Sequence, residues 1–334
     1  MMDGNFRRVV QKADKYARKK DYACLFPGCK KTAICSHAIP RAICNEALAD
    51  KGILFTRRQS LNSIMRMTSP ADPPDIVKIG VNEASVFKGY CPAHDAFLFS
   101  SAETTDRRRK NGMFIAQHLR ALSVEYCRKR QVIDFHKRAS ELTNIASLRT
   151  SLQKIVEQED FISSCFKKVH LGSLFNLIGG SDVDSVDYYC VPFSRNLQVS
   201  CCGCFDGIPG ALDSIIAYNL ISYSDMTILV LTIFNAVKHY LDSYVRDYNL
   251  PRNGERLVND IAFLHCEEPL ISARLWRSLS EIEKLAIRHS LRHPNFRTET
   301  SAPRIVKLSP SDFVTKLTPL TPAMLTRLPP DLGN

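Results

Sequence analysis

CLFPGC at residues 24–29 and CPAH at residues 91–94 decide how the N-terminal part of this chain is organised. Cys24 and Cys29 flank a tight turn built on Pro27 and Gly28. The two-residue gap between Cys91 and His94 puts both side chains on one face of a first helical turn. Brought together, the pairs supply four donors, the number that a closed tetrahedral zinc site uses. Cys24, Cys29, Cys91 and His94 are therefore the expected ligands of a structural Zn2+. A site of this kind holds a small domain together and does no chemistry of its own. A second assignment replaces His94 by His37, in SHAIP at residues 36–40, and stays open. Chemistry is to be sought beside the metal, at His37 and at Asp95, which directly follows the second pair.

Working outward, charge is concentrated on the same segment. The net charge is +11, and residues 1–110 hold 20 Lys and Arg against 11 Asp and Glu, with 25 against 23 in the remainder. Arg7, Arg8, Lys19 and Lys20 lead into the first pair. Lys30 and Lys31 follow it, Arg57 and Arg58 lie between the pairs, and Arg107 to Lys110 come after the second. Such clustering is the expected footprint of a polyanion, most often nucleic acid; a solvated basic surface is the bland alternative. DNA is expected ahead of RNA.

The 334 residues, 45% of them apolar, suffice for more than one core. No run of 18 apolar residues appears, and MMDGNFRRVV has no apolar segment behind its charges. The expectation is a cytoplasmic chain with no membrane partner. In a reducing compartment its 12 cysteines are buried thiols or metal ligands rather than disulfides. Cys35 and Cys44 are read as buried thiols. In CCGC, strand alternation puts Cys202 and Cys204 on one face and Cys201 on the other. There is no P-loop, no GxSxG and no dinucleotide fingerprint, so ATP hydrolysis, serine hydrolysis and hydride transfer have no support.

The expected fold class is α+β: a basic zinc module over 1–105, a helical connector over 106–178, a mixed α/β domain over 179–293, and a Pro/Thr-rich tail over 294–334. Residues 5–20 have the spacing of an exposed basic helix. TSPADPPD at 68–75 forbids a helix or central strand. Residues 107–147 repeat apolar side chains at steps of three and four, predicting one long helix, with a second over 148–170. YYCVPF, LQVSCCGCF, MTILVLTIF and IAFLHC are expected strands. PGALDSIIAYNL and Val237 to Val245 are expected helices. Ser280 with Glu283 is a capping-box signature for a closing helix. Trp276 is read as core, and His118, His136 and His170 as packing or surface residues. The C-terminal domain is a candidate surface for a protein partner.

Paired ligands, a Ser-His-x-Ile-Pro stretch, then a second pair opening a helix resemble zinc-stapled members of the HNH, or ββα-metal, nuclease family. The resemblance covers only about residues 22–100. It implies a treble-clef zinc supporting a hairpin and helix, cleavage of phosphodiester bonds, and a defence or mobile-element setting. It puts His37 at the general-base position and Asp95 at that of the helix-borne ligand for a catalytic Mg2+. Histidine titrates near neutrality and suits water activation, while a carboxylate is a hard ligand for such a cation. Ser36 stands where the family has an acidic residue, with Glu83 or Glu103 as substitutes, and Asn62 and Asn82 compete for the family's middle Asn. The rival reading is a nucleic-acid-binding or regulatory protein whose zinc is purely structural.

Overall fold

The computed structural model of the protein describes residues 4–41, 47–58, 74–103, 110–172, 174–175, 186–206, 214–234, 237–248, 253–291 and 302–313. Its spine is the 33-residue helix Lys110–Leu142, labelled α3. Helix α1 (Gly4–Lys19), helix α2 (Pro92–Glu103) and helix α4 (Ala146–Phe166) all pack on it. Helix α1 is amphipathic: Val9, Val10, Ala13 and Ala17 are buried, while Arg7, Arg8, Lys12, Lys15 and Lys19 are exposed. Its end is fixed to α3 by polar groups. Lys20 Nζ donates to Asp134 Oδ1 at 2.6 Å, and Tyr22 Oη donates to Asp134 Oδ2 at 2.8 Å.

The expected single apolar face of α3 is too simple. From Ala116 to Val124 every side chain is buried, including Gln117, His118, Arg120 and Ser123. That stretch lies between α2 on one side and the sheet on the other, so it has no solvent face for polar residues.

Among the described residues nine strands form two sheets. Strands β1 (Cys35–His37) and β4 (Val86–Lys88) pair as a small antiparallel ribbon. The other seven are β2 (Ile53–Arg58), β3 (Asp75–Gly80), β5 (Val186–Phe193), β6 (Val199–Asp206), β7 (Ile215–Ser222), β8 (Thr227–Phe234) and β9 (Leu270–Ser272). Their order is β3-β2-β9-β6-β7-β8-β5, antiparallel throughout. Because β2 and β3 come from between the two ligand pairs, the sheet runs across the boundaries expected at residues 105 and 178.

Helices cover both faces of this sheet. Cys201, Ile216, Tyr218 and Leu220 pack with Leu257, Val258 and Ile261 on one side. Cys202, Ile215 and Ala217 pack with Leu119, Leu122 and Phe166 on the other. The alternation expected for Cys201 and Cys202 is thus observed, with Cys204 half-buried beside Cys202. Two-sided burial also explains a correction. PGALDSIIAYNL was expected as a helix, but Ile215–Ser222 is strand β7, buried at all eight positions. A strand covered on both faces is apolar without alternation, which removes the period that separates strand from helix.

IAFLHC is corrected in the opposite sense. Helix α6 (Gly254–Asp260) continues into a π turn over Ile261–His265, whose Ile261, Ala262 and Phe263 are fully buried. The expected helices α5 (Lys238–Asp247) and α8 (Glu281–Ser290) are present, with α7 (Ala273–Ser278) before α8. The Ser280 capping box forms: its Oγ accepts from Glu283 N, and the Glu283 carboxylate accepts from Ser280 N at 2.8 Å. Trp276 is half-buried and stacks on Phe55 at 5.6 Å.

Part of the Pro/Thr-rich tail expected over 294–334 is a strap. Asn259 is buried, and its Oδ1 accepts from Ile305 N and Val306 N at 2.9 Å each while Nδ2 donates to Val306 O at 2.9 Å. Residues 314–334, Cys44, Asn62 and most of TSPADPPD lie outside the described residues. Among the described residues no helix is long and apolar enough to cross a membrane.

Candidate metal centre

A short knuckle delivers the first pair. Ala23 and Thr32 form an antiparallel bridge, and Cys24 N donates to Lys31 O at 2.8 Å. Cys29 N reaches back to Phe26 O at 3.0 Å. Gly28 adopts φ +75°, a left-handed conformation that glycine takes without a Cβ penalty. The knuckle is tied to the ribbon by Leu25 N to Gly89 O (2.8 Å) and Ile34 N to Tyr90 O (2.7 Å). Strand β4 runs out through Gly89 and Tyr90 to Cys91, and Pro92 then opens α2, a position where a missing N–H costs nothing.

The donors converge. One atom each from Cys24, Cys29, Cys91 and His94 lies within 4.8 Å of all the others. His94 Nδ1 is 3.4 Å from both Cys24 Sγ and Cys91 Sγ, and Cys29 Sγ is 4.0 Å from Cys91 Sγ. Zinc bonds of about 2.3 Å to sulfur and 2.0 Å to nitrogen imply tetrahedral edges of about 3.5–3.8 Å. The 3.4 and 4.0 Å spacings fall within about 0.2 Å of that range. The set can therefore hold a metal ion such as zinc. Cys24 and Cys91 are buried and Cys29 and His94 half-buried. The His94 backbone N–H, donating to the Cys91 sulfur, pulls that thiol below its ordinary pKa, whereas burial pushes Cys24 up. Phe26 stacks on the His94 ring at 3.9 Å and fixes its orientation. This set contains His94 and not His37, which answers the alternative left open by the sequence.

His37 closes β1 opposite Val86, half-buried, with Nε2 inside the protein. Asp95 lies in the first turn of α2, donating its N–H to Cys91 O at 2.9 Å. Its Oδ1 is buried and without a hydrogen-bond partner. Ser36 is buried. Cys35, expected as a buried thiol, is exposed, because alternation along β1 turns it away from the side that buries Ser36. Asn82 and Glu83 are exposed in the turn after β3, and the Glu103 side chain lies outside the described residues. Among the described residues the four-donor set is the one group of three or more metal-ligating side chains.

The basic residues divide into two sets. Arg7, Arg8, Lys19, Lys30 and Lys31 are exposed. Lys20 is held by Asp134. Arg57, expected as a surface contact, is buried at 5% exposure, since β2 is an inner strand of the sheet. Arg58 ends β2, and its side chain is outside the described residues.

Sequence reasoning passed over a second polar centre, built on α3. Burial pushes His118 down to about 3, helped by nearby His170, and its Nδ1 lies 2.7 Å from Thr232 Oγ1. Arg120 is buried with its guanidinium 4.3 Å from the Phe99 ring. The signal was four polar residues inside an apolar helical pattern, which their spacing alone does not mark as buried. No family model matches the chain, and no curated protein or solved structure matches it.

Proposed function

We propose that this protein binds nucleic acid through its zinc-stapled N-terminal module and cleaves it as an HNH-like, metal-dependent endonuclease. One observation carries the reading. A knuckle, a two-stranded ribbon and a helix meet at four convergent donors, with His37 ending the ribbon strand and Asp95 following the last donor on the helix. That is the order a treble clef uses, and stapling it holds the base and the carboxylate on neighbouring elements. Zinc is the structural ion. Asp95, with an oxygen that has no partner, would hold a second, hard cation such as Mg2+. His37 would take the proton from the attacking water. The exposed cations of α1 and the knuckle would bind the phosphates, with DNA favoured over RNA.

The test is cleavage of duplex and single-stranded DNA and RNA with and without Mg2+. His37→Ala should lower the rate by about 10²–10⁴-fold with one zinc per chain retained. Zinc release by His37→Ala, or an unchanged rate, would overturn the catalytic assignment. A non-catalytic, nucleic-acid-binding module is the second reading. It is favoured by Ser36, a buried and poorly ligating residue at the acidic position. Under that reading Ser36→Asp leaves the protein inactive; under the first it maintains or raises activity. In both, affinity falls with salt, at about −0.9 in the log–log slope per neutralised phosphate. Replacing Arg7, Arg8 and Lys19 together should flatten the slope.

A further inference from the structure

Two buried thiols meet where β6 passes the π turn. Ile261 O accepts from Cys266 N at 3.1 Å and from Cys201 Sγ at 4.0 Å, so one carbonyl holds both cysteines. The Cys201 thiol also donates to the Cys266 sulfur. Both residues are free cysteines. Cys201 is fully buried, whereas Cys266 borders a cavity of about 330 Å3 between α3, β6 and the π turn.

The two thiols are not equivalent. Burial raises the pKa of a thiol, because a thiolate is poorly solvated inside a protein. It pushes Cys201, Cys202 and Cys204 up. At Cys266 burial acts in the same sense but is outweighed by the Cys201 thiol, by the positive charge of Arg128 and by the Glu268 N–H, which together hold Cys266 below its ordinary value. The thiolate is the nucleophilic form of cysteine, and a second thiol beside it can resolve what the first one forms.

The cavity sets the kind of reactant. Its wall places Arg57, Arg128 and Lys129 against Glu125, Asp206 and Glu267. With cations and carboxylates equal in number, the space draws in no ion, and an uncharged molecule enters without upsetting the balance. Hydrogen peroxide is uncharged and little larger than water. Cys266 is also held in place. It directly follows the π turn, a rare local geometry that occurs often at functional sites. Tyr218 Oη donates to His265 O at 3.1 Å, and Phe205 stacks on the His265 ring at 4.1 Å.

We propose that Cys266 and Cys201 form a redox-active pair, in which a hydroperoxide oxidises Cys266 and Cys201 then closes a reversible disulfide with it. The Cys266 thiolate attacks one peroxide oxygen and the O–O bond breaks. The hydroxide that leaves takes up the proton Cys266 gave up, and Cys266 becomes a sulfenic acid, oxidised by two electrons. Cys201 sulfur attacks the Cys266 sulfur, the S–O bond breaks, and the departing hydroxide takes the Cys201 proton. Two thiols and one hydrogen peroxide thus give one disulfide and two waters. A dithiol reductant reopens the bond by exchange. The pair lies outside the zinc donors and stands whether or not the module cleaves nucleic acid.

The experiment treats the full chain with hydrogen peroxide, blocks remaining thiols with N-ethylmaleimide, and maps every cysteine by fragmentation mass spectrometry without reduction. Exposed Cys35 serves as the internal reference for the dose. Expected in the wild-type protein is a peptide pair linked through Cys201 and Cys266, lost on treatment with dithiothreitol. Cys201→Ser removes the resolving thiol, so Cys266 should accumulate as the sulfenic acid and be trapped by dimedone. Cys266→Ser should lose both the linked peptide and the dimedone adduct. Where either variant fails to fold, the wild-type linkage alone decides. Absence of that linkage at a dose that oxidises Cys35 overturns the proposal. So does a linkage that forms only in urea, or a dimedone adduct at Cys201 in Cys266→Ser, since Cys266 is then not the attacking residue.

Discussion

Around Cys91 the chain makes a ribbon of two three-residue strands, whereas β5 to β8 are eight residues each and bury both faces. The first arrangement is too small to be stable alone: an isolated two-stranded ribbon is marginal in water. The second removes whole side chains from water, each large one contributing about 1.5–3 kcal/mol. The difference teaches where each region is vulnerable. One has four converging donors that could hold a metal ion, the other many dispersed contacts, and they meet at α3. Tyr90 Oη and Ser123 Oγ share a 2.6 Å hydrogen bond there, and Arg120 covers Phe99.

The sharpest way to break this comparison is to remove the metal. Structural zinc contributes on the order of 10–16 kcal/mol in isolated fingers at neutral pH, far more than a three-residue ribbon can replace. Cys91→Ser, or chelation, should abolish amide protection over residues 22–37 and 86–99 while β6 to β8 stay protected. Hydrogen exchange read by mass spectrometry checks both halves. Retained protection over 22–37 without metal would mean that packing on α3, not the donors, holds the module.

The two regions also differed in how far their sequences disclosed them. CLFPGC and CPAH carried the donor set, because metal ligands are specific residue types at fixed short spacings, and all four converge. The Ser280 capping box was legible for the same reason. Sheet topology was not. Nothing local in ILFTRR says that it pairs with LIS more than 200 residues later. Strand β7 lost its period to two-sided burial, and the run from Ile261 was apolar without a signal to separate strand from π turn. Arg57 looked like a surface cation because burial depends on β2 being an inner strand.

In the sheet region the most concentrated polar dependence is Asn259. Asn259→Ala removes the partners of two strap N–H groups and one carbonyl, all at a buried position. Each unsatisfied buried group costs about 1–3 kcal/mol. A loss of about 3 kcal/mol or more in urea unfolding is expected, with proteolysis of the chain near residues 302–313 and zinc content unchanged. A zinc loss in this variant would show that the two regions are coupled more tightly than their separate means of support suggest.

Protons should affect the sheet region through His118. Burial holds its folded pKa at about 3, below the ordinary value of 6.5. The unfolded chain therefore binds the extra proton between these values, and stability falls as pH falls from 6.5 towards 3. Above pH 6.5 the group contributes no pH dependence. Between pH 6.5 and 4.5 the contribution is about 2–3 kcal/mol. Acid also protonates the zinc donors, so the informative quantity is the difference between wild type and His118→Gln. The variant should lose less stability over that interval. Equal losses would show that His118 is solvated or charged in the folded protein.

The smallest effect tests independence itself. Ser280→Ala removes the Oγ that accepts from Glu283 N and donates to the Glu283 carboxylate at 2.8 Å, while the Ser280 backbone N–H keeps its bond to that carboxylate. N-cap losses typically cost about 1 kcal/mol. Helix α8 is far from the donors in sequence and packs through Ile287 into the cluster on the sheet face opposite α3. If the two regions are supported separately, the loss is the same in metal-loaded protein and in Cys91→Ser protein, within the roughly 0.3–0.5 kcal/mol expected of additive sites. If the loss grows when the donors are broken, the sheet is drawing stability from the zinc module across α3. Urea unfolding of the two single variants and the double variant, followed by the near-ultraviolet signal of Trp276 beside Phe55, separates these outcomes.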